Sequence, residues 1–410
     1  MHLIMKTLRF LVISLLFASL FSCNTAPQTS KNEKRTLVIL SLDGFRWDYP
    51  EIHGTPNLDK MAQKGVKAER LIPSFPSTTF ANHYTIATGL YPDHHGILVN
   101  RFYDPESNRT YNDRGNRSSV EDGTFYGGEP IWVTAEKQGV KTATFFWVGS
   151  EADVMGIRPT YWKRYEHNFP YMQRMDTVMA WLQLPETERP QLIMWYYDQP
   201  DTDGHYYGPM NDSLTPTIHY LDSLVGVFND RIAKLDNADQ IDFIVTADHG
   251  MATISPEKRI ILDQYVDTSM IALIDGWNPT MNILAKEGYK EALYEAFSKI
   301  PNMRVWKHGE APEHLHHGTH LRTHDMTLLA DDGWSIFWSW GVNKARGTHG
   351  YDIGNTDVHA IFYASGDSFK ENYSVKPFKN IHIYPLMAHI LDLKPAVVDG
   401  SFDSIKEILK

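Results

Sequence analysis

From Thr36 to Leu42 the chain reads TLVILSL, a continuous apolar run in which apolar and polar positions do not alternate. Such a run predicts a strand buried on both faces. It ends in Asp43. Thr55 and Pro56 then supply an N-cap and a first-turn proline for a helix running to about Gln63 and closed by Gly65. The alternation continues with KTATFFWV from Lys141 as a strand, residues 175–184 as a helix, QLIMWYYD as a strand, residues 218–235 as a long helix and IDFIVTAD as a strand. Strands alternating with helices predict an α/β fold: a doubly wound, mostly parallel central sheet with helices on both faces. No internal repeat or low-complexity linker interrupts the pattern.

Two stretches depart from it. Residues 101–128 are polar, rich in Asn, Gly and Asp, and too long for a connector, which predicts a functional loop or small lid. Residues from about 285 to 345 read as an inserted α+β cap with weaker periodicity. This stretch carries His314, His316, His317, His320 and His324. A solvated, loop-borne surface accounts for these histidines better than a metal site does.

The N-terminus belongs to a different class of sequence. Lys6 and Arg9 precede the apolar run FLVISLLFASLF at 10–21, which has the charged and apolar regions of an export signal and is too short to span a bilayer. Cys23, the only cysteine, follows directly in LFSC, and a polar stretch runs on to residue 35. The arrangement resembles a bacterial lipoprotein box, and a cysteine at the end of an ordinary cleaved signal is the alternative. The division expected is therefore a signal over 1–22, a polar linker over 23–35 and one domain over 36–410 with the smaller cap inside it. An exported protein of a Gram-negative bacterium is implied, periplasmic or anchored to the outer membrane, with membrane contact only through a lipid on Cys23.

With 39 Lys and Arg against 50 Asp and Glu, the net charge is −11, and loss of residues 1–22 removes only Lys6 and Arg9 and brings it to −13. Long nucleic acids need basic stripes and are excluded as partners. Small anions remain possible where metals supply positive charge locally. No obligate protein partner is evident.

In open α/β sheets, functional groups gather beyond the carboxyl ends of the strands. Asp43 ends the first strand, Asp198 and Asp201 follow the QLIMWYY strand, and Asp248 with His249 ends the FIVT strand. Any one of these, taken alone, also fits a helix cap or a turn. Three acidic strand ends, joined by PDTDGH at 200–205 and GTHGYD at 347–352, predict one crevice. Carboxylates and imidazoles without cysteine suit a borderline-hard divalent ion, zinc above all.

Six segments carry a family resemblance: LDGFRWDY at 42–49, PSFPSTTFANHYTIATGLYPDHHGI at 73–97, GSEAD at 149–153, PDTDGH, TADHGM at 246–251 and GTHGYD. Together, and in this order, they resemble those of bacterial nucleotide pyrophosphatase/phosphodiesterases, in the alkaline phosphatase superfamily. The resemblance implies an alkaline-phosphatase-like fold and two zinc ions, one held by Asp201, His205 and His349, the other by Asp43, Asp248 and His249. It implies Thr79 as nucleophile, with its oxygen reaching the second ion, and Asn100 with the Phe80 N–H as contacts to a phosphoryl oxygen. Phe80 and Tyr165 are the implied nucleobase sandwich. Independently of the family, Thr79 opens an expected helix ending near Gly89, and a helix N-terminus favours an alkoxide.

The implied activity is hydrolysis of nucleotide diesters or anhydrides to nucleoside 5′-monophosphates through a phospho-threonine. A lipid or choline phosphodiesterase on the same metal core is the alternative. A phosphomonoesterase is disfavoured, because Glu151, Ala152 and Asp153 stand where related monoesterases carry cations.

Overall fold

A computed structural model describes residues 34–112 and 117–410. The expected export signal, Cys23 and the linker up to residue 33 lie outside the described residues.

Strand Thr36–Leu42 is buried along its whole length, as its unbroken apolar run requires. It sits near the middle of an eight-stranded sheet. On one side it pairs in parallel with Leu192–Tyr197, followed outward by Thr142–Phe145 and Tyr161–Lys163, both parallel. On the other side it pairs in parallel with Ile241–Thr246. Beyond that lie Phe362–Ser365, which is antiparallel to its neighbours, then Gly65–Ala68 and Tyr373–Val375. The doubly wound, mostly parallel α/β sheet expected from the alternation is present. One strand of the eight runs against the others.

The register places the site. Ser41 lies opposite Tyr196 on one side and Thr246 on the other. The residues after these three positions therefore emerge together at the carboxyl edge, which is why Asp43 and Asp248 meet although they are far apart in the chain.

The helices form largely where the pattern places them, with local corrections. Helix Pro56–Gln63 has its first-turn proline, but the Thr55 side chain does not cap it. Asp222, from the long helix Thr215–Ile232, accepts from the Asn57 and Leu58 N–H groups instead. Gly65 does not close the helix. It begins the strand Gly65–Ala68, held between Phe362–Ser365 and Tyr373–Val375, where a Cβ would stand 2.1 Å from the Ala364 carbonyl oxygen. The helix expected at 175–184 runs over Tyr171–Leu182, starting directly after Pro170, and that expected at 218–235 starts earlier, with Pro216 in its first turn.

The stretch 101–128 is more regular than a polar loop. It opens as a hairpin, Arg101–Asp104 against Arg109–Asn112, and buries Phe102, Tyr111, Phe125 and Tyr126 against the main core. A second antiparallel sheet is built in the order Ile271–Trp277, Thr280–Ala285, Met326–Ala330 and Met303–Lys307. Helix Lys290–Ser298 covers it with Leu293 and Phe297, over a core of its own. This sheet takes in two strands that precede the expected start at 285.

The five histidines of this region do not form one solvated cluster. His317 and His324 are buried, His324 against Asp275 at 2.7 Å. His314 faces Asp352, and His316 stacks on Tyr91 at 3.9 Å between ring centroids. None belongs to a metal-ligating group among the described residues.

Candidate active site

The helix Thr79–Thr88 begins one residue after Thr78, whose extended backbone (φ −119°, ψ 155°) turns the chain inward, and it stops at Gly89 with φ 66°. Its approach is held by Asn82. That side chain accepts from the Ser74 N–H at 2.7 Å and donates to the carbonyl oxygens of Ser74, Pro76 and Thr78. The loop before the helix is thereby folded onto the helix's own first turn. Of the two adjacent threonines, Thr79 places its Oγ1 3.3 Å from His249 Nε2, whereas the buried Thr78 hydroxyl has no hydrogen-bond partner among the described residues.

Two donor sets adjoin this hydroxyl. Asp43, Asp248 and His249 form one, fully buried; Asp201, His205 and His349 form the other, partly open. The rings of His249 and His349 stack at 3.6 Å, so the sets are neighbours. Helix Asp201–Tyr207 supplies Asp201 and His205 from one face through their four-residue spacing, and the ribbon containing Gly347–Thr348 leads into His349.

The donors are oriented as metal ligands are. Each of the three histidines has Nδ1 against a backbone carbonyl: His205 on Gly347 at 2.8 Å, His349 on Ser77 at 2.8 Å and His249 on Gly250 at 2.9 Å. That fixes the tautomer and leaves Nε2 as the lone-pair nitrogen facing the site. Asp43 Oδ1, Asp201 Oδ1 and Asp248 Oδ2 are buried with no hydrogen-bond partner among the described residues. Those same oxygens lie 3.1–3.6 Å from the histidine Nε2 atoms. Acceptors turned toward acceptors at these distances call for a cation between them. Burial, then the charges of Asp248 and Asp201, push the Asp43 carboxyl well above its usual range. Burial opposes ionisation of Asp248 too, but His249 and His83 beside it prevail and hold it well below.

Gly44 joins the two sets. Its N–H donates to Asp248 Oδ1 at 3.1 Å, and the Asp201 N–H donates to the Asp43 carbonyl at 3.0 Å. With φ +69°, and with a Cβ position only 3.0 Å from Asp201 Cα, the turn admits no side chain. Gly44→Ala is expected to reduce metal content and turnover together, as elemental analysis beside an activity assay would record. Wild-type metal content in the variant would refute this role.

Asn100 and the Phe80 N–H, expected to contact a common phosphoryl oxygen, also contact each other: the N–H donates to Asn100 Oδ1 at 3.2 Å. The amide is thereby held with its oxygen on the helix, leaving Nδ2 as its donor. Phe80 and Tyr165 are both half-buried at the margin of the main core. Phe80 meets Tyr111 edge-on at 6.1 Å. Tyr165 meets Phe146 edge-on at 5.1 Å and carries the Arg117 guanidinium 5.2 Å above its ring. Glu151 holds that guanidinium at 2.7 Å. The acidic residue that stands in place of a monoesterase cation thus serves the aromatic wall. Asp198 does not join either donor set; it accepts from Tyr171 and Arg174.

Sequence reasoning missed His83, Ser41 and Tyr196. His83, fully buried, contacts the Thr79 carbonyl at 2.9 Å and Asp248 Oδ2 at 3.3 Å through Nδ1, and Ser41 Oγ at 2.8 Å through Nε2. The Tyr196 hydroxyl donates to Asp43 Oδ2 at 2.5 Å. The only signal for His83 was its place in the Asn-His pair, one helical turn after Thr79.

Residues 37–352 match the family model for type I phosphodiesterase / nucleotide pyrophosphatase. The venom phosphodiesterase CdcPDE of Crotalus durissus collilineatus is 34% identical over 391 residues, 92% of this chain and 47% of that protein. The chain spans about half the length of the venom enzymes it matches. Ectonucleotide pyrophosphatase/phosphodiesterase family member 5 of Homo sapiens is 31% identical over 405 residues, 98% of this chain and 83% of that protein. The solved structure of the human member 5 superposes with a TM-score of 0.88 at 31% identity, covering 92% of this chain and all of that one. An inactive variant of the murine member 5, solved in complex with AMP, gives a TM-score of 0.88 at 30% identity over the same shares.

Proposed function

The chain belongs to the type I phosphodiesterase / nucleotide pyrophosphatase family of hydrolases, and from that premise we propose that it hydrolyses nucleotide diesters or anhydrides to nucleoside 5′-monophosphates through Thr79. One observation carries the reading: the Thr79 hydroxyl stands at the first position of a helix, 3.3 Å from His249 and so against a buried Asp–Asp–His set that shares a wall with a second Asp–His–His set. The proposed ions are two zinc ions, matched to oxygen and imidazole donors. When bound, such a pair supplies positive charge to the attacking and leaving oxygens of an in-line displacement.

The chain's own residues do the rest. The helix N-terminus lowers the cost of negative charge on Thr79 Oγ1. That oxygen, its proton released to solvent, attacks phosphorus, the P–O bond to the leaving group breaks with its electron pair going to the leaving oxygen, and a phospho-threonine diester remains. Asn100 Nδ2 donates to a nonbridging oxygen. Water then attacks the same phosphorus and gives up a proton, the bond to Thr79 breaks, Oγ1 takes up a proton to restore the hydroxyl, and the 5′-monophosphate departs. Comparing turnover of bis(p-nitrophenyl) phosphate with p-nitrophenyl phosphate tests the reaction class: the diester should be strongly preferred, and preference for the monoester would reject the assignment.

The nucleotide preference rests on Phe80 and Tyr165, and the AMP bound by the murine member 5 is in keeping with it. Removal of a base-stacking ring costs roughly 1 to 3 kcal/mol, and about 1.4 kcal/mol is tenfold. Tyr165→Ala should therefore lower kcat/KM for a nucleoside triphosphate by about one to two orders of magnitude, while a small dialkyl phosphate is hydrolysed as before. Equal loss on both substrates would make Tyr165 a structural residue. Loss on neither, with good activity on glycerophosphocholine, would move the enzyme to lipid or choline diesters.

A further inference from the structure

We propose that Tyr196 is a positioning residue for the ion of the buried donor set: its hydroxyl occupies one oxygen of Asp43, so that only the other is offered to the metal. The inference rests on the two-metal reading above and concerns a residue outside the six ligands.

Asp43 Oδ2 accepts from the Tyr196 hydroxyl at 2.5 Å, whereas Oδ1 has no hydrogen-bond partner among the described residues and lies 3.6 Å from His249 Nε2. Asp248 is divided in a similar way, with Oδ1 on the Gly44 N–H and Oδ2 3.1 Å from His249 Nε2 and 3.3 Å from His83 Nδ1. Both carboxylates thus present one oxygen each, on the side where His249 points. An unrestrained carboxylate can swing and bind an ion through either oxygen or both. A fixed donor on one oxygen removes that freedom and holds the other in place, the usual work of groups that orient metal ligands. On Asp248 that donor is backbone. On Asp43 it is a side chain, and substitution can test it.

Tyr196 is itself held rigidly. It lies in strand Leu192–Tyr197 opposite Ser41, two residues before Asp43 on the neighbouring strand. Its carbonyl accepts from Arg174 Nη1 at 2.8 Å, and Arg174 is wholly buried. Its ring meets His83 edge-on at 5.1 Å, and His83 in turn lies 3.3 Å from Asp248. The phenol cannot follow Asp43 if the carboxylate turns, so it defines where that carboxylate stays. Tyr196 also lies 6.5 Å from the Tyr165 ring, tilted by 49°. A role as one more wall of the base subsite is therefore the competing account.

Tyr196→Phe separates the two. The variant keeps the ring and loses only the hydroxyl, and thermal melting followed by circular dichroism checks that it folds. Titration against a competing zinc indicator should show one of two zinc ions bound about 10- to 100-fold more weakly than in wild type, the range for loss of a ligand-orienting partner. Turnover should recover in excess zinc, with KM for a nucleotide diester unchanged. Tyr171→Phe, which removes a hydroxyl bonded to Asp198 in the same wall, should leave zinc affinity at the wild-type value. Unchanged zinc affinity in Tyr196→Phe overturns the proposal, and a raised KM with unchanged zinc affinity overturns it in favour of the base subsite. Failure of the wild-type protein to bind two zinc ions would instead reject the two-metal reading itself.

Discussion

Thr79→Ala is expected to reduce turnover by at least about a thousandfold, or about 4 kcal/mol of transition-state stabilisation, while the protein stays folded and keeps its metals. The substitution removes only Oγ1. The six carboxylate and imidazole donors remain, and the helix keeps its start, because Thr79 contributes no capping bond. Only the nucleophile is lost, and a threonine hydroxyl has no substitute in this wall. Thr78→Ala is the matched control. Its hydroxyl is buried without a hydrogen-bond partner among the described residues, so its loss should change turnover little. Mass spectrometry of acid-quenched reactions should detect a phosphorylated peptide containing residue 79 in the wild type and not in Thr79→Ala. If the two alanine variants behaved the other way round, the assignment would be wrong by one residue and the helix-start argument would fail with it.

Stripping the protein with a strong chelator should abolish turnover, and about two equivalents of zinc should restore it. Without a cation, three carboxylate oxygens converge on imidazole lone pairs, and Asp43 is forced toward its neutral form by burial and by its acidic neighbours. The melting temperature should fall on chelation, since a ligand bound only by the native state stabilises it. The fold itself should survive, because the central sheet and its core are built from apolar burial. An active preparation with no stoichiometric transition metal by elemental analysis would refute this prediction.

The features legible in the sequence are those carried by neighbouring residues. The apolar run Thr36–Leu42, the strand ends at Asp43 and Asp248, the Asp201–His205 spacing and the helix opened by Thr79 each depend on a few consecutive positions. The alternation of such segments was enough to specify the parallel sheet. The two donor sets came from the family resemblance, and the structure brings their members together in the same two groups. Where local pattern misled, longer-range packing had intervened. Gly65 marks a helix end by local rules, yet it opens a strand of the central sheet, where the close approach of the Ala364 carbonyl leaves no room for a side chain. The polar composition of 101–128 hid four aromatic rings that turn inward to the core. His317 and His324 look solvated in a His-rich stretch, but the second sheet buries them.

Other features have no local signature at all. Tyr196 is one of two adjacent tyrosines at a strand end, and nothing in WYYD says which of them faces Asp43, 153 residues away in the chain. Register decides it. Ser41 stands opposite Tyr196, and the alternation of side chains along a strand then sends Tyr196 toward the site and Tyr197 to the other face. His83 likewise reaches Asp248 only because the Thr79–Thr88 helix lies across the carboxyl edge of the sheet. Sequence alone determined which chemical groups end the strands, since burial and capping preferences act over a few residues. Which oxygen of each carboxylate is left free was decided only by tertiary structure, because that depends on donors brought in from other strands at hydrogen-bond distance.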